Sequence, residues 1–140
     1  METIISTSEK RTLELAEKLA QKSKTPLCLC LYGDLGSGKT VFSKGFARGL
    51  GIEPKKIKSP TFTLVRKYEV GKKLFYHCDF YRIMEPDELL SADLEEIFQQ
   101  KNAVVVIEWP ERIEKLLPGK RMDIAFEYKD PTTRIITMNP

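Results

Sequence analysis

Several residue types are scarce in this chain, and each scarcity narrows what it can be. Three cysteines, Cys28, Cys30 and Cys78, are an odd number with no disulfide framework in view. Cys28 and Cys30 sit two apart in an apolar run, which places them on one face of a strand as small buried hydrophobes. A C-x-C metal pair is the other reading, but one histidine and one distant cysteine make a poor remaining ligand set. The longest apolar run, Leu27 to Tyr32, is far too short to cross a bilayer, so no membrane partner is expected. No basic-then-apolar leader opens the chain, and the cytoplasm is the expected compartment. Charge of one sign is also lacking. A net +3 permits contact with RNA or an acidic partner but does not argue for either.

What is present suits a packed globular chain. Hydrophobic residues make up 41% and charged residues 31% of 140 positions, enough for a core without disulfides or metal. With no repeat, low-complexity segment or linker, one domain over residues 1–140 is expected.

Periodicity divides the chain. Residues 8–22 read as an amphipathic helix with Ser8 as N-cap and Leu13, Ala16, Leu19 and Ala20 on one stripe. Leu27 to Tyr32 is apolar on both faces, as in a parallel strand covered from two sides. A helix beginning near Lys39 carries Val41, Phe42, Phe46, Ala47 and Leu50 before Gly51 closes it. Residues 61–69 and 74–81 read as strands joined by a turn at 70–73. Helical spacing follows over 85–100, with Pro86 near its start. Ala103 to Ile107 is a second doubly buried strand. A short helix over 110–117 and strands over 122–128 and 134–138 complete the reading. The expected class is α/β of P-loop NTPase type: a mostly parallel central sheet flanked by helices, with an added antiparallel hairpin.

Between the first buried strand and the second helix lies Gly33-Asp34-Leu35-Gly36-Ser37-Gly38-Lys39-Thr40, a complete G-x-x-x-x-G-K-[ST]. Such glycines let backbone N–H groups wrap a phosphate, and the helix that follows turns its positive end toward the same anion. Lys39 is placed to reach the β- and γ-phosphates, and the Thr40 hydroxyl to ligate Mg²⁺. The alternative, an accidental glycine-rich turn, is weakened by the strand before the motif and the helix after it. Glu108 ends an apolar strand, and in a parallel sheet that end faces the ligand crevice, beside Thr40. In His77-Cys78-Asp79-Phe80-Tyr81-Arg82, alternation puts His77, Asp79 and Tyr81 on one face. A single histidine supplies no assumed dyad, so His77 reads first as a hydrogen-bonding structural residue. Asp79 reads as the carboxylate that orients attacking water or holds a metal-bound water. Ser59-Pro60-Thr61-Phe62-Thr63 stands where a switch segment would sit, with a plain Ser-Pro turn as the competing reading.

These motifs, taken in order with Ser59 to Val65 and Glu108-Trp109-Pro110-Glu111, resemble the TsaE (YjeE) family, and the likeness covers nearly the whole chain. The resemblance implies an ATP/ADP-binding, Mg²⁺-dependent weak ATPase. It would serve threonylcarbamoyladenosine modification of tRNAs that read codons beginning with A. The implied partners are a TsaD-like threonylcarbamoyl transferase and its TsaB-like paralogue, with tRNA involved only indirectly. Thr40 and Glu108 are implied to hold magnesium, Asp79 to serve hydrolysis, Thr61 to belong to a switch loop, and Trp109 to lie beside the nucleotide. Glu9, Glu111 and Arg134 match further nucleotide-facing places, and Val41 follows the loop directly. Two departures stand out: Ser37 replaces a usual alanine, and Ala92-Asp93 a customary glycine.

Other readings remain open at this stage. A small nucleoside or nucleotide kinase would share the loop and the sheet, but little chain is left for a lid. A GTPase would need an [NT]-K-x-D motif, which is absent. A scaffold that only binds nucleotide would not need both Asp79 and Glu108.

Overall fold

The computed structural model describes every residue except Thr61. The switch-loop assignment for Thr61 therefore lies outside the described residues. Among the described residues seven strands form one mixed sheet in the order β1-β7-β6-β2-β5-β4-β3. They span Glu2–Ser6 (β1), Leu27–Tyr32 (β2), Val65–Val70 (β3), Lys73–Asp79 (β4), Ala103–Glu108 (β5), Met122–Tyr128 (β6) and Arg134–Asn139 (β7). The helices are Glu9–Lys22 (α1), Lys39–Gly49 (α2) and Glu88–Phe98 (α3), with 3₁₀ segments at Pro54–Lys56 and Pro110–Leu116.

The two runs apolar on both faces take the middle of the sheet. β2 pairs in parallel with β5 on one side and β6 on the other, and β5 pairs in parallel with β4. Alternation then sorts the side chains between two cores. Leu29, Leu31, Phe75, Val104 and Val106 pack under α1 and α2 with Phe42 and Phe46. Cys28, Cys30, Cys78, Val105 and Ile107 pack under α3 with Leu94 and Ile113. The three cysteines are free and buried. The thiol of Cys30 is pushed up by its hydrogen bond with Cys28 and then by burial, and that of Cys78 by burial. Buried thiols of this kind are packing residues, poor as nucleophiles.

Ser8 caps α1, accepting from Arg11 N, and Asp87 caps α3, accepting from Leu90 N. The two helices on the α1 side pack closely because α2 carries Gly45, where a side chain would run into the backbone of Leu13.

Several boundaries differ from the sequence expectation, and one strand was not expected at all. The strand expected from residue 61 begins at Val65, since Leu64 takes φ 66° and its N–H bonds Pro60 O at 2.6 Å. The strand expected to run to residue 81 ends at Asp79. The helix expected from residue 85 starts at Glu88, after the Asp87 cap. β1 has no counterpart in the periodicity reading; its five residues are held by antiparallel pairing with β7, a contact between chain ends that local pattern does not encode. The hairpin is also less peripheral than expected. β4 belongs to the parallel core, and of the two hairpin strands β3 is the antiparallel edge.

Candidate functional site

The carboxyl ends of β2, β4 and β5 open on one side of the sheet, and α2 starts there. The chain leaves β2 through a turn that only glycine tolerates at its first position. Gly33 has φ 153°, and a side chain there would lie 2.6 Å from Ser37 Oγ and 2.7 Å from Phe126 O. Gly36 and Gly38 also take positive φ, and Gly38 precedes α2 as its N-cap with no side chain to close the helix end. The free N–H groups and the dipole of α2 therefore point into the space above the loop.

That space is a cleft of about 690 Å³. Leu35, Gly36, Gly38, Lys39, Thr40 and Val41 form its floor. Asp79, Tyr81 and Arg82 come from the end of β4, Glu108 and Trp109 from the end of β5, and Ser59 from the preceding loop. Glu9 enters from the start of α1 and Arg134 from β7.

Lys39 is buried, and its ammonium bonds Gly33 O and stands 3.6 Å from the centroid of the Trp109 ring. Burial pulls its pKa below the usual lysine value, against the opposing charges of Glu108, Glu111, Asp79 and Asp34. Trp109 holds φ 61° at the turn out of β5, with its ring 5.0 Å from that of Tyr81. Glu108 is 2% exposed. Its Oε1 accepts from Thr40 Oγ1 at 2.9 Å, and its Oε2 from Ser43 Oγ at 3.3 Å and His77 Nε2 at 2.6 Å. Burial works to raise its pKa, but His77 above all, then Thr40 and Ser43, bring it below the ordinary carboxylate range. Asp79 is half-buried and moves the other way. Burial raises it and the charge of Glu108 adds to that, while the Tyr81 N–H bond to Oδ1, at 3.0 Å, opposes.

Residues 68 positions apart thus meet, as the end-of-strand argument for Glu108 and Thr40 expected. The pair is all oxygen, the Thr40 hydroxyl and the Glu108 carboxylate, the chemistry that suits Mg²⁺. Among the described residues no group of three or more His, Cys, Asp or Glu side chains forms a metal cage. Magnesium has no need of one, because it keeps waters and takes part of its shell from substrate phosphate.

Other expected residues are placed differently. Arg134 lines the cleft and also pins the loop, donating to Gly36 O at 3.0 Å. The Ser37 side chain is buried beneath the loop with no partner for its Oγ, and Gly33 and Asp34 do not line the cleft. Glu111 is exposed on the 3₁₀ segment and reaches the cleft only through its charge on Lys39. Ser43 was not among the expected residues, although its place one turn after Lys39 and Thr40 marks the same helix face. His77 was weighed as structural and turns out to touch the central carboxylate.

Fold and site together define a phosphate-binding-loop protein: a parallel α/β sheet with a glycine-rich cradle, a lysine and a hydroxyl–carboxylate pair at one cleft. The sequence model of the family described as threonylcarbamoyl adenosine biosynthesis protein TsaE matches residues 6–136, and the chain belongs to this family. The tRNA threonylcarbamoyladenosine biosynthesis protein TsaE of Bacillus subtilis (strain 168) is 40% identical over 126 residues, 90% of this chain and 77% of the relative. That of Aquifex aeolicus (strain VF5) is 40% identical over 130 residues, 92% and 87% respectively. The crystal structure of Bacillus subtilis YdiB superimposes with a TM-score of 0.79 at 34% identity, covering 98% of this chain and 83% of that one. Among the described residues no helix is long and apolar enough to cross a membrane.

Proposed function

We propose that residues 1–140 form one domain that binds and hydrolyses Mg-ATP as the accessory subunit of tRNA threonylcarbamoyladenosine synthesis in the cytoplasm. It would act with a threonylcarbamoyl transferase and the paralogue of that enzyme, meeting tRNA only through them. The observation that carries this reading is the bond between Thr40 and Glu108, set beside buried Lys39 at the start of α2 and facing Asp79.

Each residue then has a role. The loop N–H groups and Lys39 bind the β- and γ-phosphates, and Thr40 and Glu108 hold magnesium. When bound, the metal neutralises charge that builds on the phosphate oxygens. Asp79 lies in the same cleft with a raised pKa, which makes its carboxylate a better acceptor for the proton of an attacking water. Arg134, Trp109 and Glu9, which line the cleft, would border the nucleotide.

Phosphate release measured with and without the transferase pair tests the reading. Turnover is expected to be low for the chain alone and to rise when both partners are present. Nucleosides added as acceptors should stay unphosphorylated; a phosphorylated small molecule would make the protein a kinase instead.

Trp109, the one tryptophan, offers a direct probe. Its ring lies against the Lys39 ammonium, which must leave Gly33 O and turn to phosphate when nucleotide binds. Tryptophan emission should therefore change on addition of Mg-ATP and stay constant in Lys39→Ala. An unchanged spectrum at saturating nucleotide, with binding verified by calorimetry, would separate Trp109 from the site.

A further inference from the structure

We infer that His77 is a positioning residue, whose imidazole fixes the Glu108 carboxylate in the orientation that presents Oε1 to Thr40. This role rests on the reading of Thr40 and Glu108 as the magnesium pair. Glu108 closes a strand in which every residue is buried, where an unheld carboxylate would be costly. Three donors reach it and divide between its oxygens. Thr40 takes Oε1, while His77 and Ser43 take Oε2, and the His77 bond is the shortest of the three at 2.6 Å. A cation held at Glu108 Oε1 would compete with the Thr40 hydroxyl proton for that oxygen, while the donors on Oε2 would be left in place. His77 and Ser43 are then the bonds that keep the carboxylate in place.

The sheet aims the imidazole. β4 and β5 run parallel with His77 opposite Val106 and Asp79 opposite Glu108, so His77 reaches diagonally forward to the carboxylate on the same face. The ring is 2% exposed and lies against Phe75, with centroids 6.3 Å apart and planes 23° apart, which holds it from the other side. Nδ1 is buried without a partner. A proton on Nδ1 would be stranded there, and a bare Nε2 would face a carboxylate oxygen, so the donor tautomer is the one with the proton on Nε2. Outer partners of metal ligands act in this way, orienting the ligand before the metal arrives.

The test is the gain in affinity that magnesium confers on a non-hydrolysable ATP analogue, measured by calorimetry with Mg²⁺ and with EDTA. His77→Gln places an amide nitrogen near the position of Nε2, whereas His77→Asn ends near Nδ1 and falls short; His77→Leu has no donor. The magnesium gain should shrink by about 10- to 100-fold in the Leu and Asn variants and be kept within about threefold in Gln. Affinity in EDTA should stay near the parent value in all three. Asn and Gln differ by one methylene, so a fall in Asn that Gln does not share reports reach rather than folding. An unchanged gain in Leu and Asn, or an equal loss in Gln, overturns the role. A parent chain with no magnesium gain would instead overturn the metal assignment of Thr40 and Glu108, and this role with it.

Discussion

Lys39→Ala is expected to bind Mg-ATP at least about tenfold more weakly than the parent chain, a loss of roughly 1.4 kcal/mol or more. Among the described residues the ammonium is the one lysine charge buried in the cleft, and its bond to Gly33 O keeps it at the base of the loop. Burial makes that charge costly, as its lowered pKa indicates, and the surrounding carboxylates offset part of the cost. A triphosphate seated on the loop would offset more of it, by pairing its negative charge directly with the ammonium. Alanine removes both the charge and the contact with the Trp109 ring. Titration calorimetry reads the effect directly. Equal affinities for the two chains would remove Lys39 from the site and leave the loop as a glycine-rich turn.

Asp79→Asn and Asp79→Ala should keep ATP affinity near the parent value and lose hydrolysis by about 100-fold or more, measured with the transferase pair present. Asn is the sharper variant. It keeps the size of the side chain and an oxygen for the Tyr81 N–H, and removes only the charge and basicity. Asp79 is also distinct from Glu108, although their Cα atoms are paired across β4 and β5. Among the described residues three side-chain donors bring Glu108 below the ordinary carboxylate range, whereas Asp79 is raised by burial and by the charge of Glu108 against one backbone donor. Two carboxylates pushed apart in this way suit different tasks, one a fixed ligand and the other a proton acceptor. Parental turnover in both variants would end the proposal for Asp79.

Much of this was legible without the structure, for reasons that differ by element. β2 and β5 read as central strands because a run apolar on both faces has no other stable place. α1 read cleanly because its cap and its stripe agree. The loop read as a phosphate cradle because it completes G-x-x-x-x-G-K-[ST] between a buried strand and a helix, and the positive φ of Gly33, Gly36 and Gly38 shows the turn its glycines allow. Strand ends were harder. Val65 rather than residue 61 opens β3 because Leu64 adopts a left-handed turn that its sequence does not announce. β1 was illegible, since five residues with two isoleucines become a strand only when β7 lies alongside.

The sequence by itself determined the local grammar: which face each residue of a strand or helix would take, where the backbone must be glycine, and which motifs follow one another in the order of the TsaE family. Those properties depend on neighbours a few positions away, where periodicity and steric limits act. Only the tertiary structure decided which of those faces meet. That Thr40, Ser43 and His77 converge on one carboxylate follows from β4 and β5 pairing in parallel with a set register and from α2 lying over them. Alternation alone put His77 and Asp79 on one face and left the identity of their partner open. The partner is chosen by burial: an acid at the closed end of a core strand has to be met by donors, and the fold brings three of them to it from two different elements.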